Sequence, residues 1–388
     1  MAPPQQRKRQ LRGYLQDTRG FVPFVHAIYA CLVVGFVVLI LTSYRTTGIS
    51  FILFGSICWY IISNICQPPY NNPWKFLLQY PPSRGELVPE DRRRRKAPVL
   101  VCLGDSLTHG QVSANWVGQI VSRIAQRIDF PGTLSPVAAF QYPIYVINAG
   151  QNSLVSRVAV QERIQPVVDC QPNYVVVMIG TNDVIGMYSG LYKQYLKSSW
   201  MLPNEEPSWE CLERNWTNLL TQLQKARDVE NKRRYKIAIG TLPPLGEDLT
   251  HPSNEFIRKA NTILHRLVDN INKTIDNKKQ NITVLPVYER MEEIILQRRQ
   301  VDSFQQAKST IWKRPSVDYI FLYSALIPSL HFLSGMTWKR LGDFLGYELF
   351  SDTVHLNERG GEIITDLVVE WLFEEKVEKA IQEATTSN

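Results

Sequence analysis

Five short, almost continuously apolar runs limit this chain more than any other feature: Val99 to Leu103, Ile144 to Asn148, Tyr174 to Ile179, Lys236 to Gly240 and Ile282 to Val287. A strand with one wet face alternates apolar and polar residues, whereas a strand covered on both faces does not. Between the runs lie helical periodicities, clearest at Leu212, Trp216, Leu219 and Leu223, at Ile257, Ala260, Leu264, Leu267 and Ile271, and at Ile363, Leu367 and Trp371. The alternation predicts an α/β domain, a five-stranded parallel sheet with helices on both faces. No internal repeat interrupts it. In open sheets of this kind ligands bind at the carboxyl ends of strands, so the residues that follow each run carry the functional signal.

The N-terminal quarter is built differently. Residues 1–96 hold 13 Lys and Arg against 4 Asp and Glu, while residues 97–388 hold 30 against 32, so the net charge of +7 belongs to the N-terminus. A slightly acidic body lacks the basic face that nucleic acid requires, and no nucleic-acid partner is expected. Phe21 to Leu41 carries no charged side chain apart from His26, and its 21 residues at about 1.5 Å each match a hydrocarbon core of roughly 30 Å. A second charge-free run, Ile49 to Ile65, follows the polar gap Thr42 to Gly48, with Trp59, Tyr60 and Trp74 placed as an interfacial belt. The first run is long and late for a signal peptide; the second is short enough for a re-entrant or interfacial helix to be its alternative. Arg7, Lys8, Arg9, Arg12 and Arg19 precede the first run, and Arg92 to Lys96 follow the second. Clustered positive charge stays in the cytosol, so two transmembrane helices and a cytosolic α/β domain are expected.

The expected organisation is a basic tail (1–20), a transmembrane hairpin (21–65, spans about 21–41 and 49–65) and a linker with a polybasic segment (66–96). The α/β domain follows (97–374), with insertions at about 186–234 and 297–347, then a C-terminal tail (375–388). The six cysteines, Cys31, Cys58, Cys66, Cys102, Cys170 and Cys211, form no Cys-x-x-Cys pair and suggest neither a disulfide framework nor a zinc site. The sequons at Asn215, Asn272 and Asn281 point to a lumenal domain, but short motifs recur by chance and weigh less than clustered charge.

The strand ends read Gly104-Asp105-Ser106-Leu107, Asn148-Ala149-Gly150 and Gly180-Thr181-Asn182-Asp183, and Asp352-Thr353-Val354-His355 precedes the last helix. Alone, each piece is ordinary: Ser106 or Asn182 as a helix cap, Gly150 as a turn residue, His355 as a hydrogen-bonded structural histidine. Together they meet the needs of acyl transfer. A serine hydroxyl attacks only when an imidazole takes its proton, and the imidazole needs a carboxylate to fix its tautomer. Ser106, His355 and Asp352 supply that series, while the N–H groups of Ser106 and Gly150 and the amide of Asn182 are candidate donors to an oxyanion. His109 is a rival base that Asp352 cannot easily support.

These motifs, in this order over roughly residues 97 to 374, resemble the SGNH hydrolases, also called the GDSL esterase/lipase family. The resemblance implies a flavodoxin-like three-layer α/β/α sandwich and ester hydrolysis with no metal and no cofactor. It implies Ser106 as nucleophile, Asp352 and His355 as its partners, and Ser106, Gly150 and Asn182 as the oxyanion hole. Leu242-Pro243-Pro244-Leu245 is also similar to family members and is read as a turn shaping the site wall. The resemblance says nothing of the insertions. The first holds Met187, Tyr188, Leu191, Tyr192, Tyr195, Trp200 and Trp209, the second Tyr319 to Pro328, Leu330, Phe332 and Leu333. They either cover the sheet, line an acyl pocket or lie in the membrane interface. With the anchor they favour an apolar or lipid ester as substrate and the lipid bilayer as partner. A carbohydrate O-acetyl esterase, an acyltransferase and a non-catalytic membrane-anchored binding module are the alternatives.

Overall fold

The computed structural model describes residues 30–35, 37–38, 45–65, 98–128, 144–199, 205–225, 235–274, 282–305 and 317–386. All five expected strands are there: β1 (Val99–Gly104), β2 (Tyr145–Gly150), β3 (Tyr174–Met178), β4 (Lys236–Gly240) and β5 (Thr283–Leu285). They pair in parallel in the order β2-β1-β3-β4-β5. This is the flavodoxin-like order, whose switch point lies between β1 and β3. β5 is shorter than expected because Pro286 has no N–H for the ladder and the chain enters the helix Val287–Gln305 directly after it.

Register places the site. Gly104 is opposite Gly150 of β2 and Met178 of β3, so three strands end at one level and their following residues converge. One helical layer contains Trp116–Arg127, Val287–Gln305 and Glu358–Glu374; the other contains Thr181–Tyr188, Trp209–Lys225 and Pro252–Lys273. The strands between them are buried almost throughout, as their uninterrupted apolar character requires.

Both insertions contain helices: Gly190–Ser198 lies in the first and Ile320–Ser334 and Trp338–Leu345 in the second. The expected C-terminal tail is instead packed onto the body, for Val377–Thr386 is a helix that buries Val377 and Ile381.

The second apolar run forms a helix longer than expected, Arg45–Ile65, which takes in part of the polar gap. Its Thr47–Ile65 portion is the one helix among the described residues long and apolar enough to cross a membrane. Of the first expected span, residues 30–35 and 37–38 are described and helical; the rest, the 1–20 tail and the 66–96 linker lie outside the described residues. A side chain at Gly35 would come within 2.8 Å of Phe51 Cβ and 3.1 Å of the Gly48 carbonyl, so the two apolar segments meet through glycines. The Arg45–Ile65 helix also packs against Ile320–Ser334 of the α/β body.

Candidate active site

The turn after β1 is a single helical turn, Ser106–His109, closed by Gly110 at φ 79°. Asp105 caps it, its Oδ1 accepting from Leu107 N–H at 3.0 Å. Ser106 is therefore the first helical residue rather than the cap. Its N–H belongs to the set that a helix leaves without an internal acceptor.

The Asp352–His355 loop is a closed unit. Asp352 is fully buried; its Oδ1 accepts from Val354 N–H and His355 N–H, both at 2.7 Å, and its Oδ2 lies 2.7 Å from His355 Nδ1. Ser351 N–H donates to the His355 carbonyl at 2.8 Å, closing the loop from the other side. Ser113 and Ala114, just after the nucleophile turn, bond Leu356 through its N–H (3.0 Å) and its carbonyl (2.9 Å). These bonds carry the loop to Ser106, and His355 Nε2 stands 3.2 Å from Ser106 Oγ. Residues 249 positions apart thus form the expected hydroxyl–imidazole–carboxylate series.

Gly180 bends the chain at φ 129°, a conformation closed to other residues, and begins the helix Thr181–Tyr188. Asn182 Nδ2 donates to the Leu154 carbonyl at 2.9 Å, which leaves its second N–H for the cavity. Gly150 departs from expectation: its N–H donates to Asn148 Oδ1 at 2.9 Å, so an oxyanion would have to share it. Glycine is nonetheless required there. A Cβ at position 150 would lie 2.3 Å from His109 N and 2.7 Å from His109 Cα, against the backbone of the nucleophile turn.

Tyr192, in the first insertion, donates its phenol hydrogen to Asn182 Oδ1 and so orients the amide. Burial first, then the neighbouring Tyr195 and Asp105, push its ionisation well above the ordinary tyrosine range, and it remains a donor. The sequence marked Tyr192 only as one aromatic of many. The 242–245 turn is pinned to the following helix, Leu242 N–H donating to Asn261 Oδ1 and Leu245 N–H to Asn254 Oδ1. It does not line the cavity that holds Ser106.

Burial alone would lower the His355 pKa, but the charge and hydrogen bond of Asp352 and the charge of Asp105 outweigh it and raise the pKa. Burial pushes the Asp105 carboxyl up to about 7, against the Leu107 N–H and the His355 charge that lower it. Its Oδ2 is buried with no hydrogen-bond partner among the described residues. Asp183 is raised to about 6 by burial, although Ser156 donates to it from both Oγ (2.6 Å) and N–H (2.9 Å). The rival base fails: burial lowers His109 to about 3, and its Nδ1 is buried with no partner among the described residues. Among the described residues no group of three His, Cys, Asp or Glu converges to hold a metal ion.

Ser106, His355 and Asn182 open onto a cavity of about 290 Å³. Its other walls come from Ile185, Tyr192 and Tyr195, from Ile320, Ser324 and Ala325, and from Cys58, Ile61, Ile62 and Ile65 of the Arg45–Ile65 helix.

The sequence profile of the GDSL-like lipase/acylhydrolase family matches residues 100–368. Among solved structures the chain is similar to the acetyl xylan esterase AlAXEase, at 15% identity over 71% of this chain and 99% of that one, with a TM-score of 0.40. It is likewise similar to an acetylxylan esterase from Geobacillus stearothermophilus, at 14% identity over 71% of this chain and 95% of that one, with a TM-score of 0.41. No curated protein matches the chain by sequence.

Proposed function

The chain belongs to the GDSL-like lipase/acylhydrolase family and is an esterase, and we propose that it is a membrane-anchored serine hydrolase acting on an apolar or lipid ester. Ser106 Oγ gives its proton to His355 Nε2 and attacks the ester carbonyl carbon. The oxygen that becomes negative is received by Ser106 N–H and the Asn182 amide, with Gly150 N–H shared from Asn148. His355, its other nitrogen held by Asp352, then returns the proton to the departing alcohol. An acyl-Ser106 ester is left, and water activated by the same imidazole releases the acid.

The observation that carries the substrate class is the lining of the cavity: beyond the catalytic groups, its walls are mostly isoleucine, alanine, valine and tyrosine rings. A polar acyl or sugar group would lose its water there against a mainly apolar wall, with Asn152, Ser153, Ser324 and Ser329 as the polar groups it could reach. Two features support membrane attachment. The Arg45–Ile65 helix exposes Leu53, Phe54, Ile57 and Trp59, and Ile320–Ser334, which carries no Asp, Glu, Lys or Arg, exposes Leu322, Leu326 and Leu333. A helix apolar on its outer face fits lipid rather than water. The positive flanks of the two apolar runs favour a cytosolic catalytic domain.

A series of p-nitrophenyl esters tests the substrate. A buried methylene is worth roughly 0.8 kcal/mol, so kcat/KM rises about fourfold per carbon until the cavity is full. Preference for acetate over every longer acyl chain would instead favour an O-acetyl esterase.

A further inference from the structure

We infer that the anchor helix is part of the substrate site: Ile61 and Ile62 of Arg45–Ile65 form, with Ala325 of Ile320–Ser334, the wall that sets acyl-chain length. The inference rests on the apolar acyl group proposed above and locates it.

Several independent contacts hold the helix end at the site. Ile65 is 6% exposed, and its carbonyl accepts from the Asn152 amide at 2.8 Å, in the loop that follows β2 and Gly150. A helix that only tethered a domain would end in the linker with its last carbonyls in water. Here the last turn is bonded to the loop beside the nucleophile. On the next two turns Cys58, Ile61, Ile62 and Ile65 recur at the spacing of one helix face, and all four border the cavity containing Ser106 and His355.

The second helix completes the wall. Ile320, Ser324, Ala325 and Ser329 recur on its cavity face, small at three positions, while Leu322, Leu326 and Leu333 are exposed on other faces. Small residues on this helix opposite branched residues on the anchor leave a slot between the two helices rather than a closed contact, and a slot of that lining accepts a linear hydrocarbon chain. The carboxyl end of the chain meets Ser106, and its methyl end runs along Ile61 and Ile62. The anchor thereby selects substrate as well as holding the enzyme to a membrane.

The test uses the full-length chain in one detergent, with kcat/KM measured for acetyl to dodecanoyl p-nitrophenyl esters. Ile61→Trp and Ile62→Trp fill the slot by about two methylenes, so the octanoyl-to-acetyl ratio falls roughly tenfold and the optimum moves to shorter chains. Leu53→Trp, on the same helix but 58% exposed, keeps the wild-type ratio. Fluorophosphonate labelling of Ser106 reports whether each variant retains its site. Should the tryptophan variants not label, Ile61→Ala and Ile62→Ala enlarge the slot and move the optimum one or two carbons longer. A wild-type chain-length profile in the variants, or an equal shift in Leu53→Trp, overturns the inference and leaves the lipid-ester reading standing. A wild-type enzyme that prefers acetate overturns both.

Discussion

The phenol of Tyr192 donates to the side-chain oxygen of Asn182, so a residue of the first insertion orients an amide that lines the cavity beside Ser106. Tyr192→Phe keeps the ring and removes that bond. The amide is then held only by its bond to the Leu154 carbonyl, and kcat falls about fivefold with KM little changed, since one hydrogen bond is worth about 1 kcal/mol. Asn182→Ala costs about 10² to 10³ in kcat, the usual loss for one oxyanion donor. Combined with Asn182→Ala, the Tyr192→Phe change adds nothing further if it acts through Asn182, and a simple sum of the two losses would place its effect elsewhere.

The pH dependence follows from His355. Only the neutral imidazole accepts the Ser106 proton, and the net effect of Asp352 and Asp105 over burial is to raise its pKa. kcat/KM is therefore lost as pH falls through a value above the ordinary histidine range, and is constant above it until another group titrates. Asp352→Asn removes the largest raising influence, so the acidic limb shifts to lower pH while the plateau rate drops. An acidic limb at or below the ordinary histidine value in the wild-type enzyme would contradict the assignment.

Stability responds in the opposite sense, through the buried carboxyls. The folded pKa of Asp105 is raised to about 7 from the ordinary 3.8, so folding favours its protonated form. Its contribution is fully present below the unfolded value and is lost as pH rises through about 7. Asp183, raised to about 6, acts in the same window. Asp105→Asn keeps the acceptor for Leu107 N–H and has no charge to bury. Its thermal midpoint therefore falls less between pH 5 and pH 8 than that of the wild type, by several degrees in a differential scan.

Much of this was legible in the sequence, for identifiable reasons. β1 to β5 are covered on both faces, and such strands are written as unbroken apolar runs that need no tertiary context to recognise. Ser106, Asn182, Asp352 and His355 sit in short motifs at element ends, where local chain geometry places them. Tyr192 was not legible as a positioning residue, because its bond to Asn182 depends on how two consecutive helices, Thr181–Tyr188 and Gly190–Ser198, turn on each other. Ile61 and Ile62 were hidden for a different reason: a residue facing lipid and a residue facing an acyl chain are both apolar. Gly150 was read as a free donor, but Asn148, two residues before it on β2, reaches its N–H first.

Topology makes an independent prediction. Of the three sequons, Asn215 is 7% exposed and donates to Ser156 Oγ, and Asn272 is bonded on both sides of its amide to the backbone of Ile282; Asn281 lies outside the described residues. A glycan on Asn215 would be incompatible with this packing. Expressed in a eukaryotic cell, the protein is expected to show no mobility shift with endoglycosidase, and protease added outside sealed microsomes is expected to digest the catalytic domain. Glycans together with protease protection would put the domain in the lumen and show that residues 45–65 do not complete a hairpin.

The central claim is that Ser106 is the nucleophile driven by His355 at 3.2 Å. Its most direct test is fluorophosphonate labelling of full-length wild type and Ser106→Ala, with ester turnover measured on the same preparations. The wild type should label at Ser106 with loss of turnover in proportion, while Ser106→Ala neither labels nor turns over ester but keeps the wild-type melting transition. Wild-type turnover by a folded Ser106→Ala enzyme, or labelling of the wild type at a different serine, would contradict the mechanism.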